Sequence, residues 1–180
     1  MHRFATHRLL PIAAALAATA ALPAAAQATD FCVHEGAHTC PAGSADMNSD
    51  LQAALTAAAG NADTSDHVWI AQGDYYGPFA QGFNDADHVT ITGIGPGTKT
   101  LTAPAAANTQ VLQVNGENVE VSQLRVRIPG AAANATGVRL EGRAIGLEVE
   151  AGAGATGNVT GVFLKPGADL RASTVDLGVD

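Results

Sequence analysis

The sequence predicts an all-β solenoid, in which the chain winds into stacked coils. A short apolar pattern followed by glycine returns five times, and its leading residues are Val68, Val89, Leu112, Val138 and Val162. The successive steps, 21, 23, 26 and 24 residues, form a near-constant period typical of stacked β coils. Aromatic residues make up only 4% of the chain, which suits a thin core better than a thick globular one.

The first 28 residues predict a secretory signal peptide. Residues 1–8 are basic, residues 9–22 are mostly apolar, and small residues at 24–28 offer a cleavage site. The apolar run is too short for a membrane anchor, and no later stretch approaches transmembrane length. The predicted organisation is therefore a signal peptide at 1–28, a disulfide segment with a capping helix at 29–66, and coils at 67–180.

The charge balance excludes some classes of partner. All 17 acidic residues follow residue 28, together with seven of the nine lysines and arginines. Such an acidic surface argues against nucleic acid and anionic membranes as partners. We expect an exported protein, secreted or at the cell surface.

Two cysteines and two histidines lie close together before the first coil. Cys32 and Cys40 flank His34 and His38, a set that could ligate Zn²⁺ or Cu. An exported protein usually oxidises such a close cysteine pair, and the spacing differs from familiar zinc fingers. We expect a Cys32–Cys40 disulfide, with a metal site as the alternative.

Residues 47–60 predict the helix. Its apolar stripe follows helical spacing and comprises Leu51, Ala54, Leu55 and Ala58. Ser49 or Asp50 is the expected N-cap, and Gly60 is expected to close the helix in a left-handed conformation. The stripe is weak, which favours a helix that covers another element over an independent member of a helix bundle.

One register of turn residues accompanies the apolar repeat. Four positions before the leading apolar residue lie Asp85, Asn108, Asn134 and Asn158. Asparagine and aspartate tolerate left-handed backbone, so we expect a stacked ladder along the solenoid axis. Asn134 and Asn158 also begin glycosylation sequons, but the ladder accounts for their spacing better.

The chain resembles the right-handed parallel β-helix family with the pectate-lyase-like fold, and in particular bacterial secreted repeat proteins. The residues that carry the resemblance are Cys32 to Gly43, Asp50 to Leu55, Val68 to Tyr76 and Val89 to Gly97. The resemblance implies an all-β, right-handed parallel β-helix with an N-terminal capping α-helix and about five coils. The chain stops at Asp180 just after a strand-like pair, so we expect either a truncated protein or self-association through the uncapped C-terminal coil.

In β-helix lyases, clustered aspartates bind Ca²⁺ and a basic residue abstracts a proton. Asp66 and Asp87 each lie two residues before a leading valine, so a weak Ca²⁺ site between neighbouring coils is the low-ranked alternative to no cofactor. His67 and His88 share a register and are expected to stack. Solvated acids in turns are the simpler interpretation.

Two further groups have structural interpretations. Arg125 and Arg127 alternate with apolar residues and are expected to pair across the stack with Glu148 and Glu150, rather than to bind an anionic sugar. The aromatic residues from Trp69 to Phe83 are expected to pack the helix on the first coil, rather than to stack on sugars.

The leading functional hypothesis is a scaffold, adhesin or glycan-binding surface, with a polysaccharide or cell-surface glycan as partner. The alternative is a polysaccharide lyase or glycoside hydrolase of β-helix type, complete or truncated. The sequence assigns no catalytic residues.

Overall fold

The computed structural model describes residues 28–36, 38–61, 65–82 and 88–178. The signal peptide prediction and the positions Asp85 and Asp87 lie outside these ranges. The elements are β1 (Asp30–Val33), β2 (Ala45–Asp46), α1 (Leu51–Gly60), β3 (Ser65–Ile70), β4 (Gly73–Tyr76), β5 (Phe79–Gly82), β6 (His88–Gly93), β7 (Lys99–Thr102), β8 (Gln110–Asn115), β9 (Val119–Ser122), β10 (Arg125–Ile128), β11 (Thr136–Leu140), β12 (Arg143–Ile145), β13 (Glu148–Ala151), β14 (Thr160–Leu164), β15 (Asp169–Arg171) and β16 (Thr174–Asp176).

These strands form three parallel sheets around one core, which is the predicted all-β solenoid. Sheet A has the order β15-β12-β9-β6-β3-β1-β2, sheet B the order β16-β13-β10-β7-β4, and sheet C the order β14-β11-β8-β5. From β3 onward the chain visits sheets A, B and C in turn. It completes about four turns and begins another with β15 and β16.

The core consists of side chains stacked in register from coil to coil. In sheet A the inward ladder is Phe31, Val68, Ile91, Val121, Ala144 and Leu170. In sheet B it is Tyr75, Leu101, Val126, Val149 and Val175. In sheet C it is Phe79, Leu112, Val138 and Val162. Stacking lets each coil bury an apolar face that it could not bury alone.

The predicted alignment of the five repeats is wrong in its first half. Val68 and Val89 lie in sheet A, whereas Leu112, Val138 and Val162 are the sheet C ladder. Val68 pairs with Ile91 rather than Val89. The loop at 103–109, between β7 and β8, lengthens its coil. The distance in sequence from Val89 in sheet A to Leu112 in sheet C is therefore as long as one of the full coils.

Two of the recurrent glycines, Gly93 and Gly142, permit close approach of backbone between coils. A Cβ on Gly93 would lie 2.1 Å from the Gln123 carbonyl oxygen, and one on Gly142 would lie 2.1 Å from the Val119 oxygen. Neither position has space for a side chain. At Gly93 and Gly142, the glycine therefore reflects packing between neighbouring coils, whereas a Cβ on Gly167 would meet nothing within 4 Å.

The helix covers the N-terminal end of the core, as predicted. Leu51, Ala54, Leu55 and Ala58 are buried, and the Asp50 side chain accepts a hydrogen bond from the Ala53 N–H at 2.8 Å. Two details of the prediction are wrong. The helix begins at Leu51 rather than Met47, and Gly60 does not close it in a left-handed turn, because Asn61 ends it with extended backbone.

Each of the three sheets is covered at this N-terminal end. In sheet A, β1 pairs with β3. In sheet C, the Gln52 carboxamide accepts from the Ala80 N–H and donates to the Ala80 carbonyl, both at 3.1 Å. In sheet B, the Glu35 carboxylate accepts from the Asp74 N–H at 2.9 Å. Covered edges prevent pairing with other chains. No helix in the described ranges is long and apolar enough to cross a membrane.

Candidate functional site

The cysteine segment forms the predicted disulfide between Cys32 and Cys40. The metal alternative is disfavoured, because the one group of three close metal-ligating side chains found among the described residues, His34, Cys40 and Asp46, includes a cysteine already in the disulfide. The His34 ring lies between two acceptors, the Gly36 carbonyl at 2.8 Å and Asp46 Oδ1 at 3.0 Å. Hydrogen bonds from the Asn48 N–H and His34 lower the pKa of Asp46. This segment is thus a tied structural loop.

Of the two predicted Ca²⁺ ligands, the structure describes Asp66, whereas Asp87 lies outside the described residues. Asp66 pairs with Val89, and its side chain is buried at the inner side of sheet A, where Oδ1 accepts from the Thr29 N–H at 3.0 Å. His67 pairs with Thr90 rather than His88, so the predicted histidine stack is wrong. Paired residues of β3 and β6 are 23 residues apart, whereas the predicted alignment used the 21-residue step from Val68 to Val89. A role for Asp87 stays a prediction.

The asparagine register lies at one corner of the solenoid, in the loops that lead from sheet B to sheet C. Asn108 and Asn134 have left-handed backbone, with φ of 59° and 52°. Asn134 Oδ1 accepts from the Asn158 N–H at 3.0 Å. Asp85, the first member of the predicted register, lies outside the described residues. The ladder along the whole axis stays a prediction.

The aromatic residues divide between the core and the outer faces. Tyr75 and Phe79 are buried in the first coil, as expected. Trp69 instead points outward from sheet A and stacks on the His67 ring, with centroids 4.9 Å apart and planes 6° apart. The expectation that Trp69 packs under the helix is wrong, because its neighbours Val68 and Ile70 occupy the inward positions. Tyr76 also points outward and is 76% exposed.

The predicted arginine and glutamate pairs are confirmed on the outer face of sheet B. Arg125 lies opposite Glu148 and donates to both of its carboxylate oxygens, at 3.0 and 2.9 Å. Arg127 lies opposite Glu150, with Nε 3.6 Å from Oε1. The hydrogen bond to Glu148 raises the pKa of Arg125. Both cations are therefore balanced by a neighbouring carboxylate.

A groove of about 410 Å³, which we call the Tyr76 groove, crosses this outer face next to those pairs. Its strand residues are Asp74, Tyr76, Thr100, Thr102 and Arg127. Its wall is formed by Ala103, Pro129, Gly130, Gly152 and Ala153. Tyr76, Thr102 and Arg127 stand in register on three successive strands. The result is a row that offers a ring, a hydroxyl and a guanidinium in sequence.

A second groove, of about 440 Å³, lies on the sheet C side of the same corner loops, and we call it the Gln110 groove. It is lined by Pro78, Phe79, Ala80, Pro104, Ala106, Ala107, Asn108, Thr109, Gln110 and Gln113. Apolar side chains and carboxamides line it without a charged residue. The two grooves therefore differ in chemistry, since the Tyr76 groove carries Asp74 and Arg127.

Sequence reasoning did not find either groove, because each is assembled from strands and loops of neighbouring coils. The outward position of Tyr76 was readable, since it follows the inward Tyr75 in a strand with period two. The residues that form the walls of the two grooves could not be predicted from the sequence. They belong to loops whose alignment depends on coil lengths of different size.

The fold and the two grooves define a class, the three-sided parallel β-solenoid with an N-terminal helical cap. Comparison with known proteins adds nothing closer, since no family model, curated protein or solved structure matches the chain.

Proposed function

We propose that this protein is an exported β-solenoid that binds a neutral glycan along the Tyr76 groove. The exposed Tyr76 ring carries the proposal, because it stands at the head of a row of polar groups on a flat face. The Tyr76 side chain is 76% exposed and lines the groove, so its ring is open to a ligand that enters there. Aromatic rings combine an apolar face with a polar tip, which suits amphipathic ligands.

The polar groups in the groove match a ligand rich in hydroxyl groups. Thr100 and Thr102 each donate and accept, and the Arg127 fork donates only. The groove volume falls within the range of small-ligand sites, roughly 300–1,000 Å³. A sugar ring stacked on Tyr76 places its hydroxyls toward Thr102 on the next strand and Arg127 on the strand after it.

The charge of the face favours a neutral polymer over a polyuronate. Arg125 and Arg127 are paired with Glu148 and Glu150, and Asp74 and Asp176 add negative charge at the two ends. A polyanion would meet more carboxylates than cations along this face. The disulfide agrees with an oxidising compartment outside the cytosol, where such polymers occur.

The test is affinity electrophoresis and calorimetry with a soluble neutral β-glucan, and with polygalacturonate as the charged comparison. We expect binding to the neutral polymer and about a tenfold loss in Tyr76→Ala, which corresponds to about 1.4 kcal/mol. Tyr76→Phe keeps the ring and should retain most of the affinity. Phe163→Ala, on sheet C, serves as the matched exposed-aromatic control.

Three outcomes would contradict the proposal. These are equal binding by Tyr76→Ala and the parent protein, a preference for polygalacturonate, and no binding to any neutral polymer tried. Release of unsaturated products from polygalacturonate, followed by ultraviolet absorbance, would instead establish a lyase.

A further inference from the structure

We propose that the Gln110 groove is a second site, which binds the acetamido group of an N-acetylated sugar. The inference goes beyond the Tyr76 groove, since it concerns another sheet and another chemistry. It rests on the shape, polarity and hydrogen bonding of the residues between the corner loop at 103–109 and the outer face of sheet C.

The wall of this groove is held in place by the protein itself. Asn108 has left-handed backbone, and its N–H donates to the Ala133 carbonyl of the next coil at 2.8 Å. The Thr109 hydroxyl donates to the Ala106 carbonyl at 2.9 Å. Ordering the wall therefore costs little when a ligand binds, which is the advantage of a preformed site.

Part of the lining consists of small apolar residues. Ala80 lies opposite Gln113 on the outer face of the sheet, and Pro104, Ala106 and Ala107 of the corner loop line the groove beside them. Small apolar side chains leave space for a methyl group and for the C–H face of a sugar ring. Because no charged residue lines the groove, an ionised ligand would lose hydration without gaining a partner.

Gln110 supplies the polar feature that points to an amide. Its Oε1 is buried and has no hydrogen-bond partner within the described structure. A buried acceptor without a partner is unfavourable, so a ligand that brings an N–H donor gains from meeting it. Gln110 itself lines the groove, so its carboxamide borders the space that a ligand would occupy. An acetamido group supplies both the N–H for this oxygen and the methyl for the small apolar residues of the lining.

A glycan fits this groove better than a peptide strand. The groove lies on the outer face of β5 and β8, which already pair with each other, so it offers no free backbone edge for strand addition. Asn108 and Gln113 carry carboxamides that both donate and accept, and the Thr109 hydroxyl, which donates to Ala106, can still accept. Groups of that kind suit the hydroxyls around an acetamido sugar.

The experiment compares two trisaccharides of equal length and linkage, tri-N-acetylchitotriose and cellotriose, by calorimetry and saturation-transfer NMR. We expect at least tenfold tighter binding of the acetylated sugar, with the strongest saturation on its methyl protons. Gln110→Met keeps the side-chain shape, removes the acceptor and should reduce that preference at least fivefold. Cellotriose is a neutral glucan that the Tyr76 groove would also bind, so both sugars are compared in the Tyr76→Ala background as well. A preference that persists there and is lost when Gln110→Met is added reports on the Gln110 groove alone, so failure here and failure of the glucan site are separable.

A second variant keeps the test informative if Gln110→Met does not fold, as judged by circular dichroism. Ala80→Leu fills the Gln110 groove from an exposed position and should abolish the preference for the acetylated sugar. Ala153→Leu, in the Tyr76 groove, should not abolish it. Equal affinity for the two sugars, or no binding of either, would overturn the proposal. Tighter binding of an N-acetyl-lysine peptide that Gln110→Met removes would also overturn it, in favour of a protein ligand.

Discussion

At the scale of single residues, the first coil shows how one hydroxyl can connect the cap to the core. Tyr75 is buried, and its hydroxyl lies 3.0 Å from the Ala71 carbonyl and 3.2 Å from the Val33 carbonyl. Val33 belongs to β1, so the contact joins the cap to the solenoid. Burial, and then the negative charge of Glu35, raise the pKa of Tyr75 to about 12.

Replacement of this hydroxyl predicts a small loss of stability. Tyr75→Phe should lower the free energy of unfolding by about 1 kcal/mol, since it leaves carbonyls in the core with one partner fewer. Denaturant unfolding at neutral pH measures the change. Tyr76→Phe, at the exposed neighbour, is the control and should unfold like the parent protein; an equal loss in both would refute the role of the buried hydroxyl.

The same residue predicts how stability changes in alkali. The pKa of Tyr75 is near 10 when unfolded and about 12 when folded, so the folded state favours the protonated phenol. Its contribution is fully present below pH 10 and is lost as the pH rises through 12. Tyr75→Phe should remove this part of the slope between pH 10 and 12, whereas Tyr76→Phe should not.

At the scale of elements, the helix closes a sheet edge with a side chain. The Gln52 carboxamide bonds both the N–H and the carbonyl of Ala80, as the next strand of sheet C would. The weak apolar stripe of α1, half of it alanine, explains why such polar contacts matter for docking the helix.

Substitution of Gln52 predicts a local effect at this edge. Gln52→Glu removes the donor and places a carboxylate near the Ala80 carbonyl, which should lower the free energy of unfolding by about 1–2 kcal/mol. Hydrogen exchange by NMR should show faster exchange at Ala80. Gln72→Glu, the same change at an exposed glutamine outside the helix, should leave that exchange rate unchanged. Unchanged protection at Ala80 in Gln52→Glu would contradict the capping role.

At the scale of the whole molecule, each coil of a solenoid contacts only the coils next to it, so the terminal coils unfold more readily than the middle ones. The disulfide fixes the N-terminal end, because Cys32 is the direct partner of Trp69 across β1 and β3. Trp69 is the only tryptophan in the chain, so its fluorescence reports on that end alone.

Removal of the disulfide should therefore separate two unfolding transitions. Cys32→Ser with Cys40→Ser should destabilise the cap by about 2–3 kcal/mol, the amount expected for a loop of this length. The tryptophan fluorescence midpoint in denaturant should fall further than the circular dichroism midpoint. Coincident midpoints in the double variant would show that the molecule unfolds as one unit.

The sequence by itself determined the fold class, the disulfide, the helix stripe and the arginine–glutamate pairs. These follow from local spacing and from the alternation of strands, which neighbouring residues fix. The tertiary structure alone decided which strand belongs to which sheet. The coils differ in length, so the regular spacing of Val68, Val89 and Leu112 does not correspond to equivalent positions in successive coils. The tertiary structure also decided the outward stack of Trp69 and both grooves, since their walls are loops brought together by register across coils.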